Sequence, residues 1–272
     1  MDQYRVKPGQ RLKLKRFDPD DTGKYQTEAD RARAEAKTAR NLERITQEQD
    51  KLFAGASRAL LIVIQAMDGA GKDSVIKHVL DHVEPQGVRV TYFKAPTPLE
   101  RAQDYLWRVH QACPPKGLIG VFNRSHYEDV LITRVHGWVS DKTAKKRFLH
   151  IRDFEQMLTD CGTTILKFYL NISREEQRLQ LQERVDDPTK RWKFNPGDLE
   201  ERKHWDDYMR VYEDALTATS TEDAPWYVVP SNKRWYRNLV ISSVVADTLK
   251  AMKLEYPTPS AADVDWQNLR VE

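Results

Sequence analysis

The chain has 272 residues, 40% of them hydrophobic and 31% charged, with a formal net charge of +3; it can bury a substantial core in one large α/β domain or two small ones. So small a net charge argues against a general nucleic-acid coat and leaves any anion binding to local clusters. The two cysteines, Cys113 and Cys161, lack metal or disulfide spacing, no apolar leader opens the chain, and no apolar run nears the roughly 18 residues of a membrane span; a cytoplasmic protein that binds neither membrane nor nucleic acid is expected.

Residues 1–26 are polar, basic and rich in turn formers, so they read as an N-terminal arm, with 27–272 as a single domain. Thr27 and Asp30 have capping-box spacing, and Ala32, Ala36, Ala39, Leu42, Ile45 and Leu52 approximate one face, which predicts a helix from Thr27 to about Leu52. The apolar run "RALLIVIQA" (58–66) predicts a strand buried on both faces. The pattern then alternates: helix 71–83, strand 88–93, helix 99–112, strand 117–122, helices 125–135 and 141–160, strand 163–171. Ser173 and Glu176 open another helix. Residues 187–197 form a charged loop, 198–219 a helix, "WYVVP" a fifth strand and 234–252 a closing helix. Strands separated by helices give an α/β fold with a parallel sheet and right-handed crossovers.

"AMDGAGKDS" (66–74) fits the phosphate-loop pattern G-x-x-x-x-G-K-[ST] at Gly71 and Lys72 only. Ala66 replaces the first glycine, and Asp73 stands where a magnesium-binding hydroxyl is usual. Position supports the pattern, because the loop follows the most hydrophobic strand and opens a helix. Gly69 and Gly71 permit positive φ, so the backbone of Gly69, Ala70, Gly71, Lys72 and Asp73 turns its N–H groups toward one concavity. The helix dipole adds attraction for an anion, and Lys72 supplies a mobile charge for phosphate oxygens. Asp68 can hold Mg²⁺ through water in place of the missing hydroxyl. An ordinary strand-to-helix turn, with Asp73 stabilising the helix end by roughly 0.3–1 kcal/mol, uses the same residues.

In "GVFNRSHYEDV" (120–130) a strand ends at Asn123, and ligands of open parallel sheets gather at such carboxyl ends. Asn123, Arg124 and Ser125 are therefore expected to face the crevice of Lys72, with Arg124 gripping phosphate through its planar fork. Glu128 and Asp129 lie a turn further on, able to reach a metal or to start a helix favourably. His126 and Tyr127 serve equally well as packing residues, and for His126 that reading is preferred. Between two helices, Arg184, Lys190, Arg191 and Lys193 cluster in a loop that is either a solvated surface run or a lid over transferring phosphates. In the lid reading Trp192 packs or stacks on a base, and Asp198 caps the following helix.

Together, "AMDGAGKD", "FNRSHYEDV" and "KRWKF…GDLEER" resemble the family-2 polyphosphate kinases from about residue 28 onward, as do "DYLWRVH", "CGTTILKF" and "APWYVVPSNKRWYRN". The resemblance implies a P-loop kinase core like that of thymidylate kinase: a five-stranded parallel sheet flanked by helices, with a helical lid over about 184–200. It implies Mg²⁺-dependent (or Mn²⁺-dependent) phosphoryl transfer between inorganic polyphosphate and nucleotides, AMP or ADP going to ADP or ATP, with guanine nucleotides also accepted. By position, Asp68 resembles the metal-organising aspartate, Lys72 the phosphate-binding lysine, Arg124 the arginine of the second motif, and Arg184, Arg191 and Lys193 the basic lid. Many members carry aspartate at the position of Asn123; the amide resembles a subgroup acting on both mono- and diphosphates and is a doubtful metal ligand, for which Glu128 can compensate. Ser125 and Tyr127 complete the second motif as nucleotide-side candidates.

A polymer also needs a basic track, for which Lys77, Arg134, Lys145, Lys146, Arg147, Arg174 and Arg178 are candidates, the last two sharing a helix face. A homo-oligomer is expected, resting on the N-terminal helix and the aromatic C-terminal segment, although both can pack within one chain. Two other readings stay open: an ATP-dependent nucleoside monophosphate kinase, and a non-enzymatic polyanion binder with steep salt dependence.

Overall fold

Ala59–Gln65 (β1) is apolar almost throughout because it lies at the centre of a sheet with both faces covered, and all seven of its residues are buried. The structure is a computed structural model that describes residues 1–258, 266 and 269–271. Four parallel neighbours join β1: Val88–Tyr92 (β2), Ile119–Asn123 (β3), Thr163–Asn171 (β4) and Trp226–Pro230 (β5), in the order β2-β3-β1-β4-β5. β1 therefore has β3 on one side, with Ile64 opposite Asn123, and β4 on the other, with Gln65 opposite Tyr169. The five-stranded parallel sheet expected from the alternation is present.

The helices are Glu28–Gly55 (α1), Lys72–Val79 (α2), Pro98–Arg101 (α3), Trp107–Ala112 (α4), Ile132–Val135 (α5), Asp141–Asp160 (α6), Arg174–Asp186 (α7), Gly197–Lys203 (α8), Trp205–Thr219 (α9) and Arg234–Ala251 (α10). α1 packs along α10, which also touches α2 and β5, while α6 packs on β4 and α9. The α1–α10 seam lies within one chain, where the Asn41 amide donates to Ser242 and Ser243 at 3.2 and 2.9 Å. The Thr27–Asp30 capping box forms as its spacing predicts.

Three predicted helices are divided. In 99–112, Thr97 and Glu100 close a capping box on a single turn, and the Asp104 carboxylate then takes the Leu106 N–H at 2.9 Å, holding a turn before α4. In 125–135, Ser125 caps a 3₁₀ segment, His126–Val130, and only a short α5 follows. In 198–219, the chain turns at His204 between α8 and α9. The polar character of residues 1–26 conceals four anchors: Tyr4, Val6, Leu12 and Leu14 are buried in the core. This strap bridges to β5 at Arg5 and Tyr227 and donates from the Val6 N–H to the Trp226 carbonyl at 2.8 Å. Among the described residues no helix is long and apolar enough to cross a membrane.

Candidate active site

At the end of β1 the chain must turn sharply to enter α2, and Gly69 and Gly71 do so at φ of +84° and +88°, conformations that cost an L side chain strain. Lys72 is the first residue of α2. Its ammonium folds back into the loop, 3.0 Å from the Ala66 carbonyl, 3.3 Å from that of Met67 and 3.5 Å from Asp68 Oδ1. Burial lowers its pKa, opposed by the neighbouring Asp68 carboxylate.

Asp68 is shared. Its Oδ1 also accepts from Arg124 Nη2 at 2.5 Å, an ion pair that ties the end of β1 to the end of β3. Arg124 takes a left-handed φ of 60° just after β3, which turns its side chain toward the loop. Its other nitrogen lies 3.9 Å from Glu128 Oε2. Burial pushes the Asp68 carboxyl up, but Lys72 and Arg124 outweigh it and the net shift is down. For Glu128 burial wins, and its pKa is raised. Two cations and two carboxylates thus meet where the sheet order places β1 beside β3, as expected for Asp68, Lys72, Arg124 and Glu128.

The rest of the second motif does not face this crevice. The Asn123 amide donates to Asp73 Oδ1 at 2.5 Å, so the buried end of β3 is tied to the first turn of α2, where Asp73 itself stays exposed at the cavity. Ser125 is fully buried and its hydroxyl accepts the Tyr127 N–H at 3.2 Å as a cap. Tyr127 is fully buried too: its hydroxyl donates to Glu155 at 2.8 Å and accepts from Lys167 at 3.0 Å. Ser125, as the N-cap, and His126 and Tyr127, the first residues of the 3₁₀ segment, are all buried, whereas Glu128 lines the site.

Two cavities flank the loop. One, of about 230 Å³, is lined by residues 68–74, by Gln180, Glu183 and Arg184 of α7, by Lys190 and Lys193, and by Arg234 and Arg237 of α10. The other, of about 50 Å³, is lined by Asp68, Arg124, Glu128, Asp198, Glu201, Tyr208 and Tyr212. Asp68 belongs to both. Arg184 and Lys193 reach the first cavity as expected, but Asp198 lies within α8, whose N-cap is Pro196. Its carboxylate instead accepts from Arg184 at 3.1 Å. Arg191 turns back onto the Val185 carbonyl at 2.9 Å and lines neither cavity. Trp192 is exposed and lies under the Lys193 ammonium, 5.0 Å from the ring centroid.

The proposed track disperses. Arg178 points outward and pairs with Glu175 at 2.7 Å. Arg134 is a buried clamp on Asp141 and Asp214 at 2.8 and 2.9 Å. Arg147 donates to the Asp129 carbonyl at 2.6 Å and stacks on Tyr105. Lys77, Lys145, Lys146 and Arg174 are exposed and line neither cavity.

The profile of one family, Polyphosphate kinase 2 (PPK2), matches residues 28–257. The chain belongs to the polyphosphate kinase 2 family. It is 53% identical over 262 residues to an AMP/ADP-polyphosphate phosphotransferase from Meiothermus ruber, covering 96% of this chain and 97% of that protein. It is 41% identical over 277 residues to an ADP-polyphosphate phosphotransferase from Rhodopseudomonas palustris, covering 96% and 93%. The crystal structure of Polyphosphate Kinase 2 from Arthrobacter aurescens TC1 superposes with a TM-score of 0.90 at 44% identity, over 95% of this chain and 92% of that one.

Within this polyphosphate kinase 2 framework, several site residues escaped the sequence reading. Gln177 of α7 donates to the Asp68 carbonyl at 2.9 Å and accepts from Arg202 at 2.7 Å, fastening α7 and α8 to the loop. Arg234 and Arg237 bring α10 to the cavity; the available signal was an arginine inside the otherwise apolar run "WYRNLVISSVV". The donor set suits a hard cation: Asp68, Glu128 and Asp198 offer carboxylate oxygens to one pocket. Among the described residues no group of three or more His, Cys, Asp or Glu is placed to hold a metal by itself. Mg²⁺ usually takes one or two carboxylates and completes its shell with substrate phosphates and water, so the residues present fit it.

Proposed function

We propose that this polyphosphate kinase 2 moves the terminal phosphoryl group of inorganic polyphosphate in line onto AMP or ADP, without a covalent enzyme intermediate. The observation that carries this reading is Asp68, held between Lys72 and Arg124 at the shared wall of two cavities. One cavity is rich in cations and suits a polyanion. The other, with Arg124 among carboxylates and two tyrosines, is too small at about 50 Å³ for a whole nucleotide and suits only the phosphate end of the acceptor.

The N–H groups of Gly69, Gly71 and Lys72 and the Lys72 ammonium bind phosphate oxygens near the transfer point, while the Ala70 N–H closes the turn on the Met67 carbonyl. Arg124 reaches the group in transit from the β3 side, while Arg184 and Lys193 do so from the lid; their positive charge offsets the charge that spreads over the equatorial oxygens. Before substrate arrives, Asp68 holds Lys72 and Arg124 in these places. Closure of the 187–197 segment excludes water and so prevents hydrolysis of the donor. Mg²⁺, or Mn²⁺ in its place, would be held by Asp68 with Glu128 beside it and would supply further neutralisation of the bridging phosphates. A nucleotide phosphate is already an anionic nucleophile, so the reaction has little need of a general base.

The test is to incubate the purified protein with polyphosphate, Mg²⁺ and AMP, ADP or GDP, and to follow new nucleotide phosphates, with ATP plus AMP in parallel. Formation of ADP and ATP from polyphosphate is expected. Transfer from ATP alone would overturn the choice of donor, and binding of polyphosphate without transfer would leave a polyanion-binding protein.

A further inference from the structure

We propose that Arg237 is a positioning residue that shapes the phosphate loop from beneath and supplies it with a charge whose counter-ion is the polyphosphate itself. The inference rests on the phosphoryl-transfer reading above.

Arg237 sits in α10, 167 residues from the loop, yet its guanidinium is pressed against it. Nη1 lies 3.4 Å from the Ala70 carbonyl and Nη2 lies 3.3 Å from Ser74 Oγ, while Asn238 Oδ1 accepts from Nε and Nη2 at 3.2 and 3.1 Å. The residue is 1% exposed. Among the described residues no carboxylate lies within ion-pair distance of it, and every acceptor that it uses is neutral. A buried cation without an anion carries a desolvation cost that only a nearby negative charge relieves. Burial first, and Arg234 second, push its pKa down to about 10. The cavity it lines is the cation-rich one, so an anionic phosphate on the loop supplies the missing counter-charge.

The same contact explains a glycine. A Cβ on Gly71 would lie 2.5 Å from Arg237 Nη1, in addition to the strain of its positive φ. Loop and arginine are thus fitted to each other, with the Ala70 carbonyl held by the guanidinium. A structural cation in a core would instead be ion-paired, as Arg134 is with two aspartates.

The experiment compares wild type, Arg237→Gln and Arg237→Lys in the full-length protein. Thermal melts are recorded with and without tripolyphosphate, and KM and kcat are measured separately for polyphosphate and ADP. Arg237→Gln is expected to melt without ligand no lower than wild type, because an unpaired buried charge has been removed. It should lose most of the tripolyphosphate-induced shift and raise the polyphosphate KM about tenfold or more, with the ADP KM within about twofold. Arg237→Lys should recover part of the shift. If Arg237→Gln melts lower yet keeps the full shift and the wild-type KM, the residue is merely structural and the proposal is overturned. If wild type itself neither binds tripolyphosphate nor uses polyphosphate, the parent reading fails instead.

Discussion

Two charged clusters built from nearly the same parts lie on either side of the β3 exit, and they do different work. In the core, Lys167 donates to Glu155 at 2.5 Å, to the Thr219 carbonyl at 2.8 Å and to the Tyr127 hydroxyl at 3.0 Å, using all three of its protons. Lys167 and Glu155 are 0% and 2% exposed. At the loop, Lys72 makes longer contacts and its carboxylate partner is a quarter exposed and shared with Arg124. The core cluster is sealed, and its lysine spends every proton within it. The loop cluster depends on one shared carboxylate and opens on two cavities. Ion pairing alone therefore does not mark a site; unfinished pairing with access to solvent does.

Breaking the two clusters should give opposite signatures. Lys72→Ala and Asp68→Ala are expected to lower transfer from polyphosphate to ADP by about 10²–10³-fold or more, the scale of losing a pre-organised electrostatic contact, with melting temperatures near wild type. Near-normal turnover in either variant would remove the proposed centre. Glu155→Ala should do the reverse: it strands Lys167 in the core and costs about 3–5 kcal/mol in denaturant unfolding, while kcat per folded molecule holds.

The pH dependence of that second cluster has a defined sign. Burial alone would raise the Glu155 carboxyl, but Lys167 and His126 outweigh it and its folded pKa is lowered. Its stabilisation is therefore present above the ordinary glutamate pKa of about 4.3 and is lost as pH falls through the depressed value. The stability gap between wild type and Glu155→Gln should be widest near neutrality and narrow in acid; a gap independent of pH would contradict the assigned ion pair.

Smaller changes sharpen the comparison. Arg124→Lys keeps the charge but loses the fork that spans Asp68 and Glu128, so kcat/KM should fall on the order of tenfold, consistent with one charge-assisted hydrogen bond of about 1.5 kcal/mol. Asn123→Asp places a second carboxylate against Asp73 and should cost about 1 kcal/mol of stability at neutral pH. A more stable variant would mean that the Asn123–Asp73 contact is not what ties β3 to the start of α2. Least of all, Arg178→Ala should alter rate by less than about twofold, because its exposed pair with Glu175 is remote from both cavities; a larger loss would return it to the polymer path.

The parallel sheet, its five strands and the phosphate-loop residues were legible in the residue order, because the forces that specify them act over a few positions. A run of buried β-branched side chains, a positive-φ glycine and a helix N-terminus need no distant partner to be recognised. What surrounded the loop was not legible. Whether Asp198 caps a helix or grips Arg184, whether Asn123 meets a metal or Asp73, and whether Tyr127 turns to a nucleotide or to Lys167 depend on which elements the strand order brings together. The three residues after Arg124 are all buried, and the 3₁₀ segment that begins at His126 was not foreseen. Arg237 is the extreme case: its loop contacts and its lack of a carboxylate are consequences of α10 packing beside α2, and only tertiary structure decides them.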